Sequence, residues 1–246
     1  AIVAMPDGGA VVVGTFDGVV DFGGTTLTSI AGPDGFVMRL SETGEALFVV
    51  QLENADVRAV ARDDLGQLLI AGDFKGPTQF GNITLTSAQN DMFVARVGPR
   101  GEVLAAKQYT SAAKTGAMAI ASRAGRTYLT GSFQSTLDFG SGELVSAGSK
   151  DVFVARLDDT LSPVFTKRFG DDTSQEARGV TVLSDGSAVI AGAFRGALDL
   201  GGTTLVADTQ DDAFVARLDE DGGLVFGLRF GDPAVQTARA ITAMDD

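Results

Sequence analysis

At 246 residues and 44% hydrophobic content, the chain can bury a substantial core, and disorder by composition is disfavoured. A net charge of −13 sets an acidic surface against phosphate, which disfavours nucleic acids and anionic membranes as partners. Cysteine, histidine and tryptophan are absent, which removes disulfides, thiolate nucleophiles, imidazole acid–base chemistry and the usual zinc ligands.

No apolar run approaches the ~20 residues of a membrane span, so no membrane insertion is expected. The lack of cysteine assigns no compartment. The chain opens on neither an initiator Met nor a signal peptide, and is expected to be a mature or excised segment. The 32 glycines follow no collagen-like period and read as punctuation between many short strands.

The first predicted strand is Ala1-Ile-Val-Ala-Met5, which turns at Pro6-Asp-Gly-Gly9 and returns as Ala10-Val-Val-Val-Gly14-Thr-Phe16. Asp-Gly between two β-rich runs is a hairpin signal. The return strand recurs as Leu68-Leu-Ile-Ala-Gly72-Asp-Phe74, Thr127-Tyr-Leu-Thr-Gly131-Ser-Phe133 and Ala188-Val-Ile-Ala-Gly192-Ala-Phe194. Runs this continuously apolar imply strands covered on both faces.

A long connection follows, carrying Asp21-Phe-Gly-Gly24 with Leu27, Gln79-Phe-Gly-Asn82 with Leu85, Asp138-Phe-Gly-Ser141 with Leu144, and Asp199-Leu-Gly-Gly202 with Leu205. The repeated pattern predicts a small loop hairpin pinned by two apolar plugs. The third strand is Asp34-Gly-Phe-Val-Met-Arg39, repeated from Asp91 to Arg96, Asp151 to Arg156 and Asp212 to Arg217. Its arginines lie 57, 60 and 61 residues apart, so the chain is an array of units of about 60 residues. Five residues past each Arg stand Gly44, Gly101, Leu161 and Gly222, and eight further on Leu52, Tyr109, Phe169 and Phe230. That fixed offset predicts a second hairpin of constant register, with Phe48, Ala105, Phe165 and Phe226 in one column of the fourth strand.

Four strands in two hairpins, repeated and apolar on both faces, predict an all-β fold: a β-propeller of four four-stranded blades. The expected blades run over 1–58, 59–118, 119–178 and 179–239, with an extra strand at 240–246. Ala240-Ile-Thr-Ala-Met244 repeats Ala1 to Met5, so the chain holds four units plus one strand, and a window from a longer array is favoured over a closed ring. The combination of Gly-x-Phe, Asp-Phe-Gly-Gly with Leu-x-Ser, and Asp-x-Phe-Val-x-Arg-Leu resembles the bacterial SBBP-type propeller repeat family. The resemblance spans essentially the whole chain. It implies a propeller on a secreted or surface protein (extracellular, cell-surface or periplasmic) and no common ligand. The aromatic that is usually Trp in that family's fourth strand is here Phe48, Phe165 and Phe226.

Arg39, Arg96, Arg156 and Arg217 read as structural ion pairs with an Asp of their own or a neighbouring blade, because a residue common to all units serves what all units share. The competing reading is a ring of cations around a ligand channel. Asp34, Asp91, Asp151 and Asp212 read as turn caps bonding backbone N–H groups, with cation ligation as the alternative. Asp219-Glu-Asp221-Gly has the flavour of a calcium loop but lacks the remaining ligands, so calcium is the one cofactor considered and none is expected. Asp171-Asp172, Asp211-Asp212 and Asp245-Asp246 are sequence neighbours whose side chains alternate faces in an extended chain, which disfavours a glycosidase-type pair and an enzyme.

Differences between units point to binding. Asp17, Lys75, Gln134 and Arg195 follow the Gly-x-Phe triplet, Asp73 lies within it, and Asp56, Lys114 and Asp172 lie between units. Long connections and inter-unit segments are expected on one face, with the tight turns on the other. The variable face is therefore the candidate binding surface. A protein partner or self-association is the leading expectation. A glycan is the alternative, and it requires exposed aromatics where Phe22, Phe80 and Phe139 instead read as plugs.

Overall fold

The structure is a computed structural model, and it describes residues 1–29 and 32–244; Asp245-Asp246 lie outside these. The chain is all-β. Its first sheet orders β1 (Ile2–Ala4), β2 (Ala10–Phe16), β5 (Asp34–Leu40) and β6 (Ala46–Leu52), all antiparallel. Between β2 and β5, β3 (Val19–Asp21) and β4 (Thr26–Thr28) form a small separate hairpin.

The second unit is built from β7 (Ala55–Arg62), β8 (Leu68–Phe80), β9 (Ile83–Val97) and β10 (Val103–Ser111). Here the loop hairpin is fused into the main ladder, which continues from Phe74↔Asp91 through a register shift to Phe80↔Ile83. The third unit comprises β11 (Thr115–Arg123), β12 (Arg126–Phe133), β15 (Asp151–Leu157) and β16 (Pro163–Phe169). Its loop hairpin, β13 (Thr136–Asp138) with β14 (Glu143–Val145), pairs back onto β10 and stitches the second unit to the third. The fourth unit repeats the order with β17 (Gln175–Val182), β18 (Ala188–Phe194), β21 (Asp212–Leu218) and β22 (Leu224–Phe230), plus the hairpin β19 (Ala197–Asp199) and β20 (Thr204–Val206).

The core lies between sheets. Val11, Val13 and Val37 of the first unit meet Ile70, Phe80 and Phe93 of the second. Leu69, Met92 and Tyr109 meet Leu129, Phe153 and Leu161 across the next junction. Tyr128, Val152 and Phe169 meet Ile190, Phe194 and Phe214 across the last. Successive residues of a strand point to opposite faces, so Met92 and Val94 serve one junction while Phe93 and Ala95 serve the other. That two-sided burial is why the inner strands carry unbroken apolar runs, β18 being buried along its whole length.

Two features differ from the sequence-based expectation. The first strand of each later unit starts at Ala55, Thr115 and Gln175, about four residues before the expected boundaries, because the inter-unit segment joins the ladder through a bulge. The bulge skips Arg58, Met118 and Arg178 in turn. The expected extra strand is also not formed: residues 240–244 have no ladder of their own. They run beside the fourth unit, where Ala238 N donates to Gly192 O at 3.3 Å and Ala243 N to Thr181 Oγ1 at 3.1 Å.

Candidate functional site

A bulge re-aims one side chain out of a strand, and here it does so in the same column of three units. Arg58, delivered this way, lies at the entrance to a cleft of about 610 Å³ between the first and second units, on the side of the long connections. Thr15, Asn54, Asp56, Asp73, Lys75 and Asn90 complete the polar lining. Arg58 Nε donates to Asp56 Oδ2 at 2.6 Å, and its Nη1 lies 2.8 Å from Asp73 Oδ2.

Asp73 is the unusual group of the site. It is 2% exposed, and neither carboxylate oxygen has an aligned hydrogen-bond donor among the described residues. Burial pushes its carboxyl up to about 7, against the pull of the Arg58 guanidinium. Gly72, immediately before it, explains the close approach. A Cβ there would stand 1.9 Å from the carbonyl oxygen of Asp56, so only glycine lets the bulged strand lie against its partner.

A narrower niche of about 90 Å³ continues from Arg58 toward the fourth unit and is lined by Lys114, Met118, Lys150 and Glu176. Lys150 Nζ donates to Glu176 Oε1 and Arg178 Nη2 to Glu176 Oε2, both at 2.6 Å. Burial raises the Glu176 carboxyl, but the hydrogen bonds and charges of Lys150 and Arg178 more than reverse this, leaving it below its ordinary value. Cleft and niche together carry Arg58, Lys75, Lys114 and Lys150 against Asp56, Asp73 and Glu176. On a chain of net charge −13, this surface is close to charge balance.

The eight variable residues expected to bind fall into two groups. Asp56, Asp73 and Lys75 meet in the cleft, and Lys114 lines the adjoining niche. Asp17 is exposed outside the cleft lining, and Asp172 is exposed with its backbone against Gly148. Gln134 N donates to Lys114 O, while Arg195 is engaged by Asp211 at 2.8 Å. Lys150, Glu176 and Arg178 were not singled out from the sequence. The available signal was positional: Arg58, Met118 and Arg178 each stand one residue before the small residue (Ala59, Ala119 or Gly179) that restarts the ladder.

The repeated residues sit away from this cleft. Arg39, Arg96 and Arg217 pair with Asp7, Asp63 and Asp185, which occupy the turn of the first hairpin in their own units. The third unit has Ala124-Gly125 at that turn, and Arg156 instead donates to the backbone carbonyl of Glu220 in the fourth unit. Asp34 and Asp91 accept backbone N–H groups of Asn54 and Ser111, and side-chain amides of Gln51 and Gln108. Asp151 and Asp212 pair instead with Arg168 and Arg229, and also accept the N–H groups of Ala147 and Asp208.

The other acidic candidates are occupied locally. Asp171 accepts bonds from Thr173, Gln175 and Ala197, and Asp219 Oδ1 accepts the N–H groups of Asp221 and Gly223. No cluster of metal-ligating side chains is present among the described residues. Phe80 and Phe139 are buried, and Phe22 is stacked against Phe16 and Phe36. No helix among the described residues is long and apolar enough to cross a membrane.

No family model matches the chain, and no curated protein matches it. Among solved structures it is similar to a protein of unknown function from Bacteroides caccae, with 10% identity over 89% of each chain and a TM-score of 0.43.

Proposed function

We propose that the four units are blades of an open SBBP-type propeller arc, and that the chain is a non-catalytic scaffold which binds a protein partner through its long-connection face at the bacterial cell surface. The observation that carries this reading is the cleft between the first two units. It is built largely from residues that differ between units, and it holds a buried carboxylate, Asp73, faced by the Arg58 guanidinium at 2.8 Å. A polar, charge-balanced opening of this kind suits a protein loop that offers hydrogen-bond donors and acceptors. Phe80 and Phe139 are spent as plugs and Phe22 lines a separate groove, so none of these three rings gives the cleft the stacking platform a sugar-binding loop needs. Asp171, Asp211 and Asp212 are tied into local bonds, which is the opposite of a pair held free across a substrate.

The test places a photo-crosslinking phenylalanine analogue at Lys75 in the cleft or at Leu65, which is 82% exposed in a tight turn on the other face. With bacterial envelope proteins present, a discrete protein adduct is expected from position 75 and not from 65, and Arg58→Ala should abolish it. Equal labelling from both positions would refute a specific loop-face partner. Binding to an arrayed glycan without any protein adduct would replace the protein with a sugar.

A further inference from the structure

Two of the three junctions between units share one contact, the second junction having Ala105 and Leu161 in its place, and the parts of that contact recur unpaired on the first and fourth units. Phe48 of the first unit packs into the second beside Phe80, Ala95 and Val97. The turn glycine Gly101 comes so close that a Cβ on it would lie 3.0 Å from the Phe48 ring. Gly222 meets Phe165 in the same manner at the third junction, at 2.9 Å. A knob on one unit and a glycine turn on the next are thus the repeated contact.

Both halves of this contact are free at the ends of the array. On the fourth unit, Phe226, Leu228 and Phe230 are 37%, 49% and 53% exposed, whereas Leu52, Tyr109 and Phe169, the counterparts of Phe230, are at most 5% exposed. On the first unit, Gly44 has nothing within 4 Å of its Cβ position. Beside it opens a groove of about 300 Å³ lined by Phe22, Met38, Leu40 and Ala46. These correspond one for one to Phe80, Ala95, Val97 and Val103, the residues around Phe48. The knob and the socket belong to one chain but do not meet in it.

We propose that two copies of this chain associate head to tail, with Phe226 of one copy seated in the Met38–Leu40–Gly44 groove of the next. No residue of this groove lines the cleft, so this proposal rests on the open arc but not on the loop-face partner. Such a contact is heterologous, since each copy offers a different patch, and it closes into a ring or propagates. The exposed stripe, with Phe226 and Phe230 as aromatic anchors, is of the type found at interface cores. The place of an incoming first strand beside β17 is already held by residues 238–244, with Ile241 packed on Gly179. Ala240-Ile-Thr-Ala-Met244 repeats Ala1 to Met5. It therefore replaces β1 of the docking copy beside β2, and β1 is the exchangeable strand, being three residues long with Ile2 68% exposed.

The test is the mass of the intact chain in solution, by light scattering on a sizing column, as concentration is raised. A species of twice the 25.3 kDa chain mass, or a higher multiple, is expected. Phe226→Glu should return it to the monomer with an unchanged melting temperature, because the ring is already exposed. The chain is free of cysteine, so mixing Phe226→Cys with Ala46→Cys preparations should give a disulfide-linked pair that neither forms alone. A chain lacking residues 1–5 should still associate. A monomer up to the solubility limit with no cross-link would overturn the proposal, as would association untouched by Phe226→Glu or lost with residues 1–5.

Discussion

Asp73 is a carboxyl whose folded-state value is raised to about 7 from an ordinary 3.8, chiefly by burial. The folded chain therefore holds a proton that the unfolded chain gives up above about pH 4. Stability from this group is fully present below that pH and is lost as pH rises toward 7. At about 1.4 kcal/mol per unit, the loss reaches about 4 kcal/mol at most. Asp73→Asn should not show this decline, so its advantage over the parent grows across the window; denaturant unfolding of both proteins through that range checks it, and parallel curves would contradict it. The arginines divide by partner. Arg96→Met strips a nearly buried Asp63 of its charge partner, at an expected cost of about 3 kcal/mol. Arg156→Met removes a bond to a backbone carbonyl, at about 1 kcal/mol. Urea unfolding at neutral pH separates the two. Arg39, Arg96 and Arg217 pair with an Asp of their own unit, in the turn 32 or 33 positions back, whereas Arg156 departs from the expected Asp partner because Ala124-Gly125 stand at that turn.

At the scale of elements, the recurring glycine of Gly-x-Phe marks a close approach of two strands. A Cβ at Gly72, Gly131 or Gly192 would stand 1.9 Å from the carbonyl oxygen of Asp56, Gly116 or Glu176, just before the bulge. At Gly14 the nearest atom is instead Cε1 of Phe36, at 3.0 Å. Gly131→Ala should thus cost about 3 kcal/mol, and Gly14→Ala about 1 kcal/mol; thermal unfolding of both variants measures the difference, and equal costs would discount the bulge. The hairpins, their order and the apolar plugs were readable from turn residues and from the alternation of Phe and Leu. The bulge was not, because Arg58, Met118 and Arg178 share no chemistry and only their offset repeats. The bulge in turn hid the part of the site that Arg58 and Arg178 build, while Asp73, Lys75, Asp56 and Lys114 stood out as departures from the repeat.

The whole molecule is a stack of four main sheets joined by three junctions, the first and third sharing a phenylalanine packed on a turn glycine and the second carrying a loop hairpin paired across it. The number of units was legible from the spacing of the Asp-x-Phe-Val-x-Arg strands. Whether the first and last units meet was less so: the repeat of Ala1 to Met5 at Ala240 to Met244 favours a window from a longer array over a closed ring, but both copies could compete for one place. In the structure the sheets in extensive contact are sequence neighbours, and the exposed Phe226, Leu228 and Phe230 face away from the third unit. Hydroxyl-radical footprinting of the dilute monomer tests this arrangement most directly, because side-chain oxidation follows solvent access. An open arc requires Phe226 and Phe230 to be oxidised readily while Tyr109 and Phe169, in the equivalent strands, stay protected. Protection of Phe226 and Phe230 at the level of Tyr109 in that monomer would mean that the ring has closed on itself, and would contradict the arc.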